Sequence, residues 1–590
     1  MKIKTKSLEI LLDVTDDRWN AGMEILPERE NGVETIRLSL SAERDLPPPV
    51  FTLTVLFPQK DVYSRWMPDC DLDRKRVFPT WCDNYESHFS KNAPEITLIG
   101  KDGSNRLTLA FSEALRLVQY GAGIDEHTSV FHCFFRGFTV PEAPVHSYTA
   151  ELRIDTRDIF YADAIRSAFD WFSTFPEYKP AEVPAAALEM LYSSWYSYHK
   201  DGLCADVIEK EAYYAAALGM KTIIVDDGWQ CDRYDGGPYA YCGDWEPAVS
   251  RFPDMKKHVS NVHKAGLRYL LWVALPMLGE HCKAYSRFRT KVLGKCERLG
   301  VYLLDPRFPE VREYLIQTCE NAIRNWNLDG FKFDFIDAFR IWDGIDPAVA
   351  ENYQGRDCKT IPEGADILLA EMLKRLKQIK TDVLVEFRQN YMGPAVRKYG
   401  NMMRAADCPN CGLTNRTRTI DLRLTSGSTA VHSDMLNWYY GETPGAALRQ
   451  FLNILFSVPQ ISVRLAEIPD SHKIALKFWI DFWYAHRDLL LNGYLTPYAP
   501  ELNYPLVTTE TENEFLTAVY EAGQAVPVES RDHVYIVNAS GTDELVVETP
   551  VSLHGKALDV FGVPVSDVYL PAGLSRIAVP DSGLLDLRPE

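Results

Sequence analysis

A lysine and an aspartate stand two residues apart in the run Leu328-Asp329-Gly330-Phe331-Lys332-Phe333-Asp334-Phe335. The pattern predicts a buried strand. Side chains alternate faces on a strand, so Lys332 and Asp334 should point one way and Phe331, Phe333 and Phe335 the other. A buried carboxylate beside a fixed ammonium stays ionised at neutral pH, because the opposite charge offsets desolvation. That suits a carboxylate nucleophile. A structural ion pair is the plainer reading of an isolated Lys-x-Asp, and the rest of the chain has to decide between the two.

The elements that would position such a strand are visible in the spacing of apolar residues. From about Leu188 the sequence alternates strand and helix, with strands expected at 188–196, 221–228, 267–275, 330–336, 382–388, 401–407, 430–436 and 457–463. Amphipathic segments at 207–218, 311–326, 367–379 and 444–456 lie between them. This succession predicts a central (β/α)8 TIM-like barrel over residues 185–492 rather than an open doubly wound sheet. An aromatic last helix at 474–490 should pack on that barrel. Residues 1–176 alternate short apolar runs with turns, the mark of an N-terminal antiparallel β-sandwich domain. A proline-rich link, 176–184, follows it. Beyond Asn492-Gly493 short alternating runs return and predict a small C-terminal antiparallel β-sandwich domain at 493–590.

Active sites of such barrels lie at the C-terminal ends of the strands. The expected strands end in Ser194-Trp195-Tyr196, Asp226-Asp227-Gly228-Trp229, Lys332-x-Asp334, Glu386-Phe387-Arg388, Arg404-Ala405-Ala406-Asp407 and His432-Ser433-Asp434. Any one of these acids reads as a strand-end salt bridge. Together they converge on one rim. Trp195 and Trp229 offer faces for sugar C–H surfaces, Asp226 and Asp227 can grip hydroxyls, and Arg388 and Arg404 complete a polar substrate-binding rim. Two carboxylates on different strands are what glycosidic bond cleavage requires.

The series resembles the melibiase-type α-galactosidases, glycoside hydrolase family 36. Asp226-Asp227-Gly228-Trp229, Gly243-Asp244-Trp245, Arg251-Phe252-Pro253, His263-Lys264-Ala265-Gly266-Leu267, Asp305-Pro306 and Phe331-Lys332-Phe333-Asp334 are similar, in order and spacing, to that family's motifs over residues 190–440. The resemblance implies that Asp334 is the nucleophile, that Lys332 is a sugar-hydroxyl ligand, and that Asp226 and Asp227 hold the fourth and sixth hydroxyls. It implies Asp407 as acid/base, with Asp434 the alternative, and no cofactor. The chain also departs from the pattern. Trp272-Val273-Ala274-Leu275-Pro276 lacks the two glutamates usual after the third strand, and Glu386-Phe387-Arg388-Gln389-Asn390 replaces a glycine-rich, cysteine-containing segment.

Composition narrows the remaining classes. A formal net charge of −19 without a basic run disfavours nucleic acid and anionic membranes as partners. No apolar window is long enough for a membrane span, and the first residues lack a secretory signal's apolar core, so a cytoplasmic location is expected. Twelve scattered cysteines suggest reduced thiols. Cys408-x-x-Cys411 lacks a second pair, so no metal is expected. His199, His263 and His432 read as local hydrogen-bonding groups. The expected activity is a retaining, exo-acting α-galactosidase with a carbohydrate partner, homo-oligomerisation being left open. The rivals are an α-glycosidase for another sugar (an α-glucoside, α-N-acetylgalactosaminide or β-L-arabinopyranoside) and a non-catalytic carbohydrate-binding protein on the same fold.

Overall fold

The computed structural model describes residues 1–590 apart from 7, 69–73, 75–77, 83, 234, 341–347, 389, 390 and 392. Alternation governs the N-terminal region. In the strand Val33–Leu46, Ile36, Leu38, Leu40 and Ala42 are buried while Arg37, Ser39 and Ser41 face solvent. Among the described residues this region forms two mainly antiparallel sheets of seven and six strands. Their inner faces meet in one apolar core containing Leu53, Val55, Leu109, Phe111 and Phe135. The helix Tyr161–Ser173 then leaves the sandwich. The Tyr161 hydroxyl donates to the Pro497 carbonyl (2.7 Å), and Arg397 donates to Phe169 O (3.1 Å), so this helix wedges the sandwich against the barrel and the C-terminal sheets.

The barrel strands are β1 Leu191–Ser193, β2 Thr222–Val225, β3 Arg268–Ala274, β4 Gly330–Asp334, β5 Leu384–Arg388, β6 Met402–Arg404, β7 Ala430–His432 and β8 Gln460–Ile461. All eight lie within the expected segments. They pair in parallel in the spatial order β7-β6-β5-β4-β3-β2-β1-β8. Parallel bridges from His432 to Val458 and from Leu436 to Ile461 close the ring. Gly330 is needed where β4 meets β5, since a Cβ there would sit 1.9 Å from Leu384 O.

The interior changes character two residues up each strand. The lower layer, Leu191, Ile224, Leu270, Leu384, Met402 and Ala430, is one apolar cluster capped by Ala186 and Ala187. One side-chain period higher stand Ser193, Asp226, Trp272, Glu386, Arg404 and His432, joined by Lys332. A period-2 strand puts i and i+2 on the same face, so the same inward face is greasy below and charged above. The charge collects at the C-terminal mouth.

Two features lie outside the expected pattern. After β3 the chain inserts a small antiparallel sheet of Met277–Leu278, Val292–Cys296 and Val301–Leu304. In the C-terminal region two strand pairs run parallel, Glu514–Val519 with His533–Asn538 and Ala525–Pro527 with Glu544–Thr549. The intervening segment crosses to the smaller sheet and back, so the returning strand keeps its direction. The helix Asp470–Ala485 buries Trp479 and Trp483 on the barrel, as its aromatic stripe predicts.

Candidate active site

Asp334 ends β4 and is nearly enclosed, 7% exposed. Its Oδ1 forms an ion pair with Arg388 Nε (2.8 Å) and accepts from the Phe335 backbone N–H (2.7 Å) and from the Tyr391 hydroxyl (3.3 Å). Among the described residues its Oδ2 accepts from Trp272 Nε1 alone (2.9 Å). The Phe335 contact exists because Phe335 adopts a left-handed φ of 59°, turning its N–H back onto the preceding carboxylate. Phe335 therefore leaves the apolar face it was expected to share with Phe331 and Phe333. It packs instead near Arg388 and Tyr239 at the mouth.

The expected Lys332–Asp334 pair does not form. Lys332 Nζ bonds Asp226 Oδ2 at 2.5 Å, with both groups almost fully buried. Residues i and i+2 share a face but lie a full period apart along the strand, and β2 offers a carboxylate level with the lysine. The cation that pairs with Asp334 is Arg388, one strand over. Asp227 points away from Asp226. Its carboxylate takes Gln230 Nε2 (2.8 Å) and the Lys200 ammonium (2.7 Å), and burial pushes its pKa up despite Lys200. Gly228 makes this possible. At φ 120° it lets Lys200's backbone come within 2.9 Å of where a Cβ would be.

Arg404 organises the far side. It donates to Asp434 Oδ1 and to Asp407 Oδ1 (2.7 Å) and lies 3.6 Å from Glu386 Oε1. Arg404 has no exposed surface, so its expected role in binding substrate is corrected: it grips carboxylates. Glu386 accepts from Gln460 Nε2 (2.5 Å), and burial raises its pKa to about 6 despite Arg404 and Lys332. Asp434 is fully buried, and its carboxylate also accepts from Tyr196 Oη (2.9 Å) and the Cys408 N–H (2.6 Å). Burial raises its pKa. Asp407 keeps a side chain 41% exposed. Burial alone would raise its pKa, but Arg404, then Lys332 and Arg388, hold it below the usual carboxylate range.

The tryptophans divide. Trp195 is half-buried at the rim and lies against His199, ring centroids 4.1 Å apart. Trp229 is wholly buried, donates from Nε1 to Trp272 O (2.8 Å) and packs on Trp245 and Trp326. Its expected contact with substrate is corrected to support beneath Trp272. Cys408 to Cys411 is a β-turn closed by Cys411 N–H to Cys408 O (3.1 Å). Pro409 is followed by left-handed Asn410, as in a type II turn. Of the segment that replaces the glycine-rich run, Gln389 and Asn390 lie outside the described residues.

Residues 187–360, which hold the Asp226-Asp227 turn and the Asp334 strand, match the family described as Melibiase. This stretch, under a third of the chain, is similar to the melibiase family. The probable α-galactosidase C of Aspergillus flavus is 33% identical over 163 residues, 25% of this chain and 21% of that relative. The bifunctional α-galactosidase/sucrose kinase AgaSK of Mediterraneibacter gnavus is 27% identical over 203 residues, 33% of this chain and 20% of the relative. The matched stretch thus spans about a fifth of the length of these curated relatives. The fold extends further. A solved structure of the GH36 α-galactosidase AgaA from Geobacillus stearothermophilus, in complex with raffinose, superposes with a TM-score of 0.67 at 14% identity. The superposition covers 99% of this chain and 83% of that one.

At the barrel mouth, Tyr391, Lys200, Gln230 and Gln460 take part without having been expected. Tyr391 donates to Asp337 (2.8 Å) and receives from Arg388 (2.9 Å). Tyr391, Lys200 and Gln230 reach the mouth from loops or a short helix whose path the sequence pattern does not trace, and Gln460 comes from β8, an expected strand whose neighbours the pattern does not name. Gly228 is the one usable clue. A glycine directly after two acidic residues signals a close backbone approach, which here is Lys200.

Proposed function

We propose that this chain is a retaining, exo-acting glycosidase that removes terminal α-linked galactose from oligosaccharides or glycosides. The observation that carries the reading is the unequal treatment of the two Asp334 oxygens. Among the described residues, Oδ1 is held by two hydrogen-bond donors and an ion pair with the Arg388 guanidinium, while Oδ2 has one indole donor and is the better placed to attack. In the first step Oδ2 bonds to the anomeric carbon as Asp407 gives its proton to the leaving oxygen. In the second, Asp407 takes a proton from water, which displaces the sugar and returns the electron pair to Asp334. Arg388 favours that return by stabilising the departing carboxylate. Asp434 is less suited to acid/base work, since its buried carboxylate is occupied by Arg404, Tyr196 and the Cys408 N–H. Because Arg404 lowers the proton affinity of Asp407, turnover should be favoured below neutral pH.

The galactose assignment is supported by the Asp226–Lys332 pair and by Asp227 at the turn, together with the α-galactosidase names of the relatives. Consecutive residues diverge, so the two acids can read different hydroxyls. A second reading, another α-glycoside, is favoured by Arg388 and by Ala274-Leu275-Pro276 at the substrate-facing rim, where the family pattern differs.

A panel of nitrophenyl glycosides with an activated fluorosugar tests both. The expected result is fastest release from the α-galactoside and a label on Asp334. A label on another carboxylate overturns the nucleophile, and a preference for another sugar selects the second reading. Asp227→Ala should lower kcat/KM on galactoside far more than on its C4 epimer. An unpaired buried polar group costs about 1–3 kcal/mol, so discrimination of at least tenfold is at stake.

A further inference from the structure

The end of the barrel opposite the mouth gathers charge of the other sign. The helix Gly412–Thr425 runs back from the mouth, and Gly427 follows it just before β7. Beside Gly427 a cavity of about 430 Å³ opens between that helix end, the helix Tyr161–Ser173 and the segment 491–495. The sandwich, the barrel and the C-terminal region therefore all border it. Arg166 and Arg423 line it. Arg423 donates from Nη1 to Phe456 O (2.6 Å) and Leu490 O (2.9 Å), and from Nη2 to Leu491 O (2.6 Å). These partners are all carbonyls, and among the described residues Arg423 forms no ion pair.

Arg397, which is buried, stands against the same wall. Its Nη2 donates to Phe169 O (3.1 Å) and Ser173 Oγ (2.8 Å), while its Nε is buried without a hydrogen bond among the described residues. Phe169 and Gly427 both line the cavity. A Cβ at Gly427 would lie 2.9 Å from Arg397 Nη1, so the glycine, at φ 54°, leaves that group uncovered on the cavity side.

Carboxylates do not balance these cations. Asp163 is taken by Arg166 (2.7 Å) and by the Tyr494 hydroxyl (2.7 Å). Asp170 lines the cavity but is exposed and forms no ion pair among the described residues. Burial pushes Arg397 and Arg423 down to about 10, so both stay charged at neutral pH. Neutral donors would satisfy the same carbonyls with less desolvation. What a fixed guanidinium adds is a charged fork that fits the oxygens of an oxyanion. Three guanidiniums against two carboxylates leave one positive charge for an anion to neutralise.

We infer that this cavity binds a phosphate group, free or as the monoester of a small alcohol, held by Arg423, Arg397 and Arg166. The volume exceeds what phosphate alone fills and leaves room for the alcohol. An anion there would join the three regions that border the cavity, on the opposite side of the barrel from Asp334 and Asp407.

Orthophosphate and glycerol 2-phosphate are the probes, since a sugar phosphate could also enter the barrel mouth. Calorimetric titration of the full chain should show one site of millimolar affinity or better. The thermal midpoint should rise with phosphate and not with sodium chloride at equal ionic strength. Tighter binding of the monoester identifies it as the ligand, and equal affinity identifies free phosphate. Arg423→Gln should weaken binding at least tenfold, the worth of a hydrogen bond to a charged group. Arg423 also caps carbonyls, so Asp170→Asn provides a second variant that leaves the fold alone. Removing that exposed carboxylate should tighten binding by about threefold, an effect that a purely structural role for the arginines would not produce. The site is overturned if wild type binds neither probe, if chloride raises the midpoint as much, or if Asp170→Asn leaves the affinity unchanged.

Discussion

Two buried charge networks in this molecule are built from the same residue types and do opposite things. At the junction of the three regions, Arg74 donates to Asp421 Oδ2 (2.7 Å) and to Tyr504 Oη (3.2 Å). Tyr504 donates to Asp421 Oδ1 (2.7 Å), and Trp66 Nε1 donates to Tyr504 (3.0 Å). One cation meets one carboxylate, the neutral Tyr504 and Trp66 extend the pair, and every member is buried. At the barrel mouth, Lys332, Arg388 and Arg404 face Asp226, Asp334, Asp407, Asp434 and Glu386, and Asp407 opens to solvent. A network whose charges balance out of reach of solvent fastens structure. One that carries surplus carboxylate and leaves an oxygen at the surface keeps capacity for a ligand. Glutamates make the same contrast. Glu95, near the junction, is buried with Oε2 unpartnered and is pushed up to about 8, whereas Glu386, among the mouth's cations, rises only to about 6.

The comparison can be broken most sharply at Asp334. Asp334→Asn should lower kcat about a thousandfold or more, since an amide cannot form the glycosyl ester. Its thermal midpoint should move by only a few degrees, because the site is open on one side. Steady-state kinetics and calorimetry read the two halves, and a collapse in stability with retained turnover per folded molecule would make the mouth a fastener too. Asp421→Asn should do the reverse. Leaving Arg74 buried without its anion costs about 3–5 kcal/mol, measurable by urea unfolding, while kcat per folded molecule stays unchanged.

The glutamates sharpen the picture through pH. Both have folded pKa values raised above their unfolded ones, so each contributes stability that is fully present below about 4.5 and is lost as pH rises. The loss runs through about 6 for Glu386 and through about 8 for Glu95. Glu95→Gln should therefore remove a fall of up to about 4–5 kcal/mol between pH 4.5 and 8, and Glu386→Gln one of about 2 kcal/mol ending near pH 6. Unfolding free energies across pH 4–9 check this. Equal slopes for both variants would erase the distinction between the two environments. The smallest effect is expected for Tyr391→Phe, which removes the hydroxyl joining Arg388, Asp337 and Asp334. A loss of roughly tenfold in kcat/KM is expected for one hydrogen bond to a charged group. Slower reactivation of the fluorosugar-labelled enzyme should accompany it, and a change in KM alone would remove Tyr391 from the support of the nucleophile.

Much of the architecture was written into periodicity. Strands buried on both faces and amphipathic helices repeat from Leu188 onward, and a period-2 strand has no choice about which residues share a face. The Asp226-Asp227-Gly228-Trp229 turn, the Asp334 strand and Asp407 could all be read because each is a local pattern at a strand end. Partnership could not be read. Lys332 is two residues from Asp334 yet bonds Asp226, 106 positions away, because strand register rather than sequence distance sets which charges meet. Trp229 and Arg404 carried the right chemistry for a sugar site, but burial removed them from it, and burial depends on what packs above a residue. Tyr391 and Lys200 entered the site from segments without any periodic signature, placed there by loop paths and by a close approach that only Gly228 hints at. Residue types and local spacing thus determined the fold and the mouth's chemistry, while the partner of each charge was decided only when the strands closed into a ring.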